Sequence, residues 1–376
     1  EVTDGIRVAV GFGLANSILI EGDGGVIIVD TMETVETGQA VRRAFERISR
    51  KPIAAIIYTH NHADHVFGAA AFADSPDLPV YAHETTGRQI DRVVSVLRPI
   101  LTKRSMRMFG TFLDDAAMVN AGIGPHLALK KESVVGVVRP NRTFSDTLTD
   151  EIAGIRFTLV HAPGETDDQI FVWLPDKRVL LPGDNIYKTF PNLYTIRGTP
   201  HRDVQKWIAS LDEMRQLRPA HLVPSHTRPV SGEEKIYRIL TDYRDAISYV
   251  HDQTVRGMNM GKTAEELAAA ITLPPHLAKS PFLQPFYGTV AWSVRSIYNG
   301  YLGWFDGNPS NLFPLAPRAR AEHMAKLAGG ADALLDATVT AHKSGDHQWV
   351  LELTESLLRL QPDNRKAKDI RVEALT

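Results

Sequence analysis

The chain reads as an α/β protein: two sheets covered by helices, an αββα sandwich, followed by an all-α end that includes a tetratricopeptide-like unit. Three observations lead there. Short apolar, β-rich runs fall in two blocks, between Arg7 and Tyr58 and between Val134 and Pro224, with helical periodicity between them. Beyond about Gly232 the strand signal fades and helical spacing takes over. The run Thr59-His60-Asn61-His62-Ala63-Asp64-His65 sets three imidazoles and a carboxylate directly behind one of the strands. The expected division is residues 1–232 and 233–376.

Each element follows from local chemistry. Arg7–Ile20 and Val26–Thr31 read as strands joined by the turn Gly22-Asp23-Gly24-Gly25 and ending at Asp30-Thr31. Thr34–Arg47 has helical spacing, with Val41, Ala44, Phe45 and Ile48 on one face. Ile53–Tyr58 is a buried strand that delivers the histidine run to its C-terminal end, where α/β layers keep their sites. Thr85–Asn120 reads as an amphipathic helix, with Met106-Arg107-Met108-Phe109 as core rather than an alkyl-chain groove. Strands return at Val134–Val138 and Ile155–Val160. Ile170–Leu174 and Arg178–Pro182 form a hairpin about Pro175-Asp176, and Leu222-Val223-Pro224 is the last strand. Helices are expected at Glu233–Val255, Ala264–Ile271, Ala321–Leu327, Ala331–Ser344, Trp349–Leu360 and from Asn364, around a Pro/aromatic stretch at 281–317. Val350, Leu353, Leu357 and Leu360 make one apolar face between Gly345 and Gln361-Pro362-Asp363-Asn364, like one tetratricopeptide unit. Such a unit cannot bury its face alone, so a homodimer through residues after about 233 is expected.

Composition narrows the function. The 376 residues are 43% hydrophobic and 23% charged, ordinary for a globular protein. A net charge of −2 and no basic run argue against a nucleic-acid partner. No stretch approaches the ~18 apolar residues that span a membrane. The chain starts at Glu1, which leads to the expectation of a processed or trimmed product; a periplasmic or secreted protein is expected, with a cytoplasmic one as the alternative. With no cysteine, disulfides are excluded and any metal must be held by nitrogen and oxygen.

Histidine supplies 14 of 376 residues, so three within six positions point to a metal rather than to chance. His60 and His62 are two apart and point the same way in an extended segment. Four ligands so crowded strain a single tetrahedral ion and divide naturally between two. Three further strand ends each offer one ligand: Glu165 in His161-Ala162-Pro163-Gly164-Glu165, Asp184 in Pro182-Gly183-Asp184, and His226 in Pro224-Ser225-His226. His83, His161 and His221 read as structural. His126 sits on the glycine-rich loop Gly122–His126, within reach of the site, and Trp292 reads as core or pocket wall.

These four blocks, in this order, resemble the metallo-β-lactamase superfamily. Glu165 stands where that family usually has histidine, which points to its alkylsulfatase branch. Asn192-Leu193-Tyr194-Thr195-Ile196-Arg197-Gly198, with Arg202-Asp203 beyond, is similar to the block that grips sulfate there. Phe286–Val290 and Tyr301–Pro309 are similar to the start of its helical dimerisation domain. The resemblance implies two Zn2+ per chain, one held by His60, His62 and Glu165 and one by Asp64, His65 and His226, with Asp184 bridging. It implies a shared hydroxide oriented by Asp64, sulfate bound by Asn192 and Arg197, and hydrolysis of sulfate esters of aliphatic alcohols; His126 and Trp292 are further substrate-binding candidates. Two departures, Ala291-Trp292 where a histidine is usual and Asp184 where glutamate is common, bear on the substrate and leave the metal site intact. Rival readings on the same scaffold are a phosphoesterase, a lactonase or a β-lactamase. From another class, the rival is a binding protein with a closed, structural metal.

Overall fold

Alternation along the strands sorts the apolar side chains into layers. The computed structural model describes residues 1–114 and 116–375. The first sheet has the order β1 (Ile6–Ala9), β2 (Ser17–Glu21), β3 (Val26–Val29), β4 (Ile53–Ile57), β5 (Val80–His83), β6 (Arg142–Phe144). β1 to β3 pair antiparallel and β3 to β6 pair parallel. The second sheet joins β7 (Thr147–Ile152), β8 (Ile155–His161), β9 (Ile170–Leu174), β10 (Val179–Leu181), β11 (His221–Leu222) and β12 (Val230–Ser231), antiparallel except for β10 with β11. Ile18, Ile20, Ile27 and Val29 face Phe157, Leu159, Val172 and Leu181 in a shared interior. Leu19 and Ile28, one step along, point outward onto helices. Each such buried side chain stabilises the fold by about 1.5–3 kcal/mol.

Helices close both outer faces. α1 (Val35–Glu46) starts at a capping box in which the Thr34 side chain accepts from Thr37 N, and it lays Val41 and Phe45 on the first sheet. Ile48, expected on that face, is 51% exposed because the helix has already ended at Glu46. The short α2 (Ala63–Val66) carries Asp64 and His65. α3 (Thr86–Asp91), a π-turn at Arg92–Val96 and α4 (Arg98–Met108) run on as one wall. α5 (Val204–Gln216), capped by Asp203, packs Trp207, Leu211 and Met214 on the second sheet. α6 (Glu233–Asn259), α7 (Ala264–Ala270), α8 (Pro275–Ala278) and α9 (Val290–Leu302) extend that same core.

The sandwich is therefore an αββα arrangement. The first compact unit is Glu1–Trp304; the sequence division at 232/233 marks where the strands end, not where this body ends. The second unit, from Phe305 onward, holds α10 (Pro317–Ala328), α11 (Ala331–Lys343), α12 (His347–Leu360) and α13 (Arg365–Glu373). Val350, Leu353 and Leu357 of α12 are buried there against Ala325, Leu334 and Ile370. The apolar face expected to need another chain is thus covered within its own unit.

Other expectations are corrected. Arg7–Ile20 is two elements, broken at residues 10–16 by a loop that carries Leu14 and Asn16 to the site. The helix expected to reach Asn120 ends at Met108, two residues before Gly110 at φ 64°. Val134–Val138 is extended but not a strand. Val134 and Val138 carbonyls accept from Val35 N and Tyr58 Oη, and Gly136 exchanges backbone bonds with Phe67 and Ala70, so these groups serve loops rather than a ladder. β5 and β7 gave too weak a periodic signal to be read, whereas α5 and α9 were left unassigned although Val204, Trp207, Leu211 and Met214, and Val290, Val294, Ile297 and Tyr298, fall at helical spacing.

Candidate metal centre and its cavities

The ends of β4, β8, β10 and β11 converge, and the residues behind them meet in one buried cluster. His60, His62 and Asp184 place one ligand atom each within 4.8 Å of one another, and Asp64, His65 and His226 do the same. Asp184 Oδ2 reaches both sets, lying 3.7 Å from His60 Nε2, 3.4 Å from His65 Nε2 and 3.1 Å from His226 Nε2. Asp64 Oδ2 is 3.5 Å from His65 Nε2 and 3.4 Å from His226 Nε2. Glu165 Oε1 stands 3.9 Å from His62 Nδ1, at the first set.

Second partners fix three imidazoles with Nε2 turned inward. Asp30 accepts from His65 Nδ1 at 2.7 Å and the Leu14 carbonyl accepts from His226 Nδ1 at 2.9 Å. Thr59 Oγ1 gives its proton to Asp30 and so accepts from His60 Nδ1 at 3.0 Å. This orientation by outer partners is what metal-ligating histidines require. His62 instead presents Nδ1 to the cluster, 2.8 Å from His60 Nε2 and 3.9 Å from Glu165 Oε1, with its Nε2 turned to Arg197 Nη2 at 3.0 Å.

Asp30 escaped the sequence reading although it follows an apolar strand directly. It is fully buried, with φ 57°, a conformation that aspartate tolerates better than most residues. Its carboxylate also accepts from Thr59 N and from Ser225 Oγ, tying the first sheet to the second. Arg202, read with the block that resembles a sulfate grip, is turned to a candidate metal ligand instead. It is 3% exposed and ion-pairs with Glu165 Oε2 while donating to the Asn192 carbonyl. The Asn192 side chain is buried behind this pair with no partner on either polar atom, and it lines neither cavity described below.

Charge in the cluster is tightly opposed. Burial and the neighbouring His65 push His60 down to about 4. Burial works against the His65 cation, but Asp184, Asp64 and Asp30 outweigh it and hold its pKa well above the usual imidazole range. Burial raises Asp64 and Asp184, yet the charges of His65 and His226 dominate both, bringing Asp64 to about 2. Burial lifts Glu165 to about 7 in spite of Arg202. Buried acids held against imidazoles in this way suit cations. So do His65 Nε2 and Asp184 Oδ1, which are buried without a hydrogen-bond partner.

Two cavities open on the cluster, and His62, Glu165 and Arg197 stand in the walls of both. One, of about 330 Å3, is mainly apolar, lined by Leu14, Phe67, Leu101, Ile123 and Tyr287. Met106 and Phe109 line it too, so the segment read as core forms a groove. The other, of about 550 Å3, is lined by Arg92, Arg104, Arg202 and Lys206. His126 is exposed, and Trp292 is half-buried in the first turn of α9; neither lines either cavity. His126 points out of a loop whose Ile123 takes the inward position instead. His83 and His161 stack on one another at 3.9 Å, away from the cluster, as structural histidines do.

Comparison with known proteins agrees with this geometry. Residues 10–226 match the metallo-beta-lactamase superfamily and residues 263–376 match alkyl sulfatase dimerisation. A linear primary-alkylsulfatase of Pseudomonas sp. (strain ATCC 19151) is 44% identical over 95% of this chain and 69% of its own length. The alkyl/aryl-sulfatase BDS1 of Saccharomyces cerevisiae is 29% identical over 100% of this chain and 60% of its own. The structure of the stereoselective inverting sec-alkylsulfatase Pisa1 from Pseudomonas sp. superposes with a TM-score of 0.95 at 28% identity, over 100% of this chain and 61% of that one. The chain thus spans roughly two thirds of the length of these relatives. Among the described residues no helix is long and apolar enough to cross a membrane. The fold and its two His/Asp clusters imply metal ions, and the chain belongs to the metallo-β-lactamase superfamily, joined here to an alkyl sulfatase dimerisation domain.

Proposed function

We propose that this protein is a two-zinc hydrolase that cleaves sulfate esters of aliphatic alcohols. One observation carries the reading beyond the relatives' names. Arg197 has no acidic partner among the described residues, and it stands between a ligand-rich floor and an apolar cavity. A monoanionic head joined to an alkyl chain fits that juxtaposition, because a guanidinium fork matches a tetrahedral oxyanion.

His60, His62 and Glu165 would hold one ion, Asp64, His65 and His226 the other, with Asp184 between them. Nitrogen and oxygen donors without thiolate favour zinc. Two such ions acidify water and offset charge on the reacting group. The chain's own residues do the rest. Arg197 binds the sulfate oxygens and opposes the charge that grows on the leaving group. Arg202 keeps one oxygen of Glu165 occupied, so that the other faces His62. Leu14, Phe67, Phe109 and Tyr287 exclude water around the chain. The protein acts as a homodimer, a reading supported by the dimerisation-domain match rather than by the α12 face.

The test is a turnover panel of alkyl sulfates, phosphodiesters and lactones, with elemental analysis. Two zinc ions per chain and turnover of alkyl sulfates are expected. Arg197→Ala should retain both ions and lose on the order of 2–4 kcal/mol of transition-state stabilisation on the best sulfate ester. Wild-type kinetics in that variant, or a stoichiometry of one with full activity, sinks the proposal.

A further inference from the structure

The two loops that supply ligands to the first ion are stitched together by residues that are not ligands. Asp168, three residues after Glu165, is fully buried. Its Oδ1 accepts from Asn61 Nδ2 at 2.5 Å, and Asn61 lies between His60 and His62. Beside it the Ile170 amide donates to the Thr59 carbonyl at 2.9 Å, so the loops run side by side at the cluster. The other oxygen, Oδ2, accepts from Thr86 Oγ1 at 2.8 Å. Thr86 opens α3, whose start has no side-chain cap. From there the chain leads through the π-turn to Val93 and Leu101, which stand in the walls of both cavities. Both donors to Asp168 are neutral, and among the described residues no cation pairs with it. Burying a carboxylate on neutral donors alone is costly, so stability does not account for its presence.

We propose that Asp168 is a positioning residue with two separable arms: through Asn61 it sets His60 and His62 against Glu165, and through Thr86 it pins the root of the wall that meets the substrate. The first arm rests on the two-zinc reading above and the second on the sulfate-ester reading. His60 and His62 come from one loop and Glu165 from the other, so the first ion's geometry depends on how the two loops stand. A tie made before the ion arrives fixes that geometry, as outer partners do at metal sites. The second ion draws on Asp64, His65 and His226, which take their outer bonds from Asp30 and Leu14 instead. Loss of Asp168 should therefore be felt at one ion and not at both. Asparagine at this position can keep both arms: its oxygen accepts from Asn61, and its NH2 donates to the Thr86 hydroxyl, which has lone pairs to receive it. Alanine keeps neither.

The experiment resolves the two zinc dissociation constants of the full chain by competition with a chromogenic chelator, in wild type, Asp168→Ala, Asp168→Asn, Thr86→Val and Thr86→Ser. Asp168→Ala should weaken one of the two constants by about ten- to a hundredfold and leave the other within about threefold. Asp168→Asn should keep both within about threefold. If Asp168→Ala does not fold, Asn61→Ala cuts the same arm and is read in the same way. Thr86→Val cuts only the arm to the wall. It should keep both zinc constants and kcat, and raise KM for an alkyl sulfate by about threefold or more, the pattern of lost uniform binding. Thr86→Ser keeps the hydroxyl and should restore KM. Unchanged zinc constants in Asp168→Ala, or two that weaken together, overturn the first arm. Asp168→Asn as damaging as Asp168→Ala overturns it too, because charge rather than position then matters. Wild-type KM in Thr86→Val overturns the second arm. Failure of the two-zinc or sulfate-ester reading shows already in the wild type, as fewer than two zinc ions or no turnover of alkyl sulfates, whereas failure of this proposal shows only in the variants.

Discussion

Asp30→Asn tests whether the floor of the site is held from behind. The carboxylate accepts four hydrogen bonds: Thr59 N at 2.9 Å, Thr59 Oγ1 and Ser225 Oγ at 2.8 Å each, and His65 Nδ1 at 2.7 Å. An amide offers one oxygen. Turned one way, its NH2 meets the Thr59 N–H; turned the other, it meets the His65 Nδ1–H. Either orientation unmakes at least one charged bond, at about 1.5–3 kcal/mol, and leaves a buried donor that costs about 1–3 kcal/mol more. The variant should therefore lose about 3–5 kcal/mol of stability in all. His65 can escape only by moving its proton to Nε2, which removes the lone pair that a metal needs. Zinc affinity should fall by about ten- to a hundredfold, as for other outer-partner changes. Competition with a chromogenic chelator reads affinity, and thermal unfolding of the zinc-free protein reads stability. Retention of wild-type zinc affinity would refute the claim that Asp30 sets the tautomer of His65.

Other expectations follow from the cavity walls. Glu33 is buried, and its Oε2 has no partner; burial raises its pKa above the ordinary carboxylate range. A raised acid binds its proton more tightly when folded, so its contribution favours folding at low pH and is lost as pH rises above the unfolded value. Glu33→Gln should flatten that part of the stability–pH curve and match or exceed wild type at pH 7, measured by unfolding across pH; a steeper curve would contradict it. Phe109→Ala should weaken kcat/KM for long-chain esters by at least tenfold and for the shortest by much less, as lost apolar contacts dictate. Trp292→Phe should leave kinetics within about twofold, because Trp292 lines neither cavity.

The metal floor was legible because its ligands sit in short runs behind strands, where residue type and spacing both speak. The layers were legible wherever alternation was clean, as in Ile27-Ile28-Val29. What failed has physical causes. β5 is wholly buried and shows no alternation, and β7, on a sheet edge, has few apolar residues to count. The partners that aim the histidines are drawn from far along the chain: Leu14 lies 212 residues from His226 and Asp30 lies 195 from Ser225. No local pattern marks them. Met106 and Phe109 carry the periodicity of a core helix, and sequence cannot say that the surface they cover is a cavity.

The wall formed by α3, the π-turn and α4 contributes no ligand and no orienting partner, yet it contacts both cavities through Val93 and Leu101. Heritable variation in this stretch changes what the pocket admits while the clasp between the sheets, and with it the machinery of bond cleavage, is inherited untouched. A lineage built this way can exchange one amphiphile for another by drift in a single helical segment. A search for variants with altered substrate range has its natural library at residues 89–109, not at the histidines.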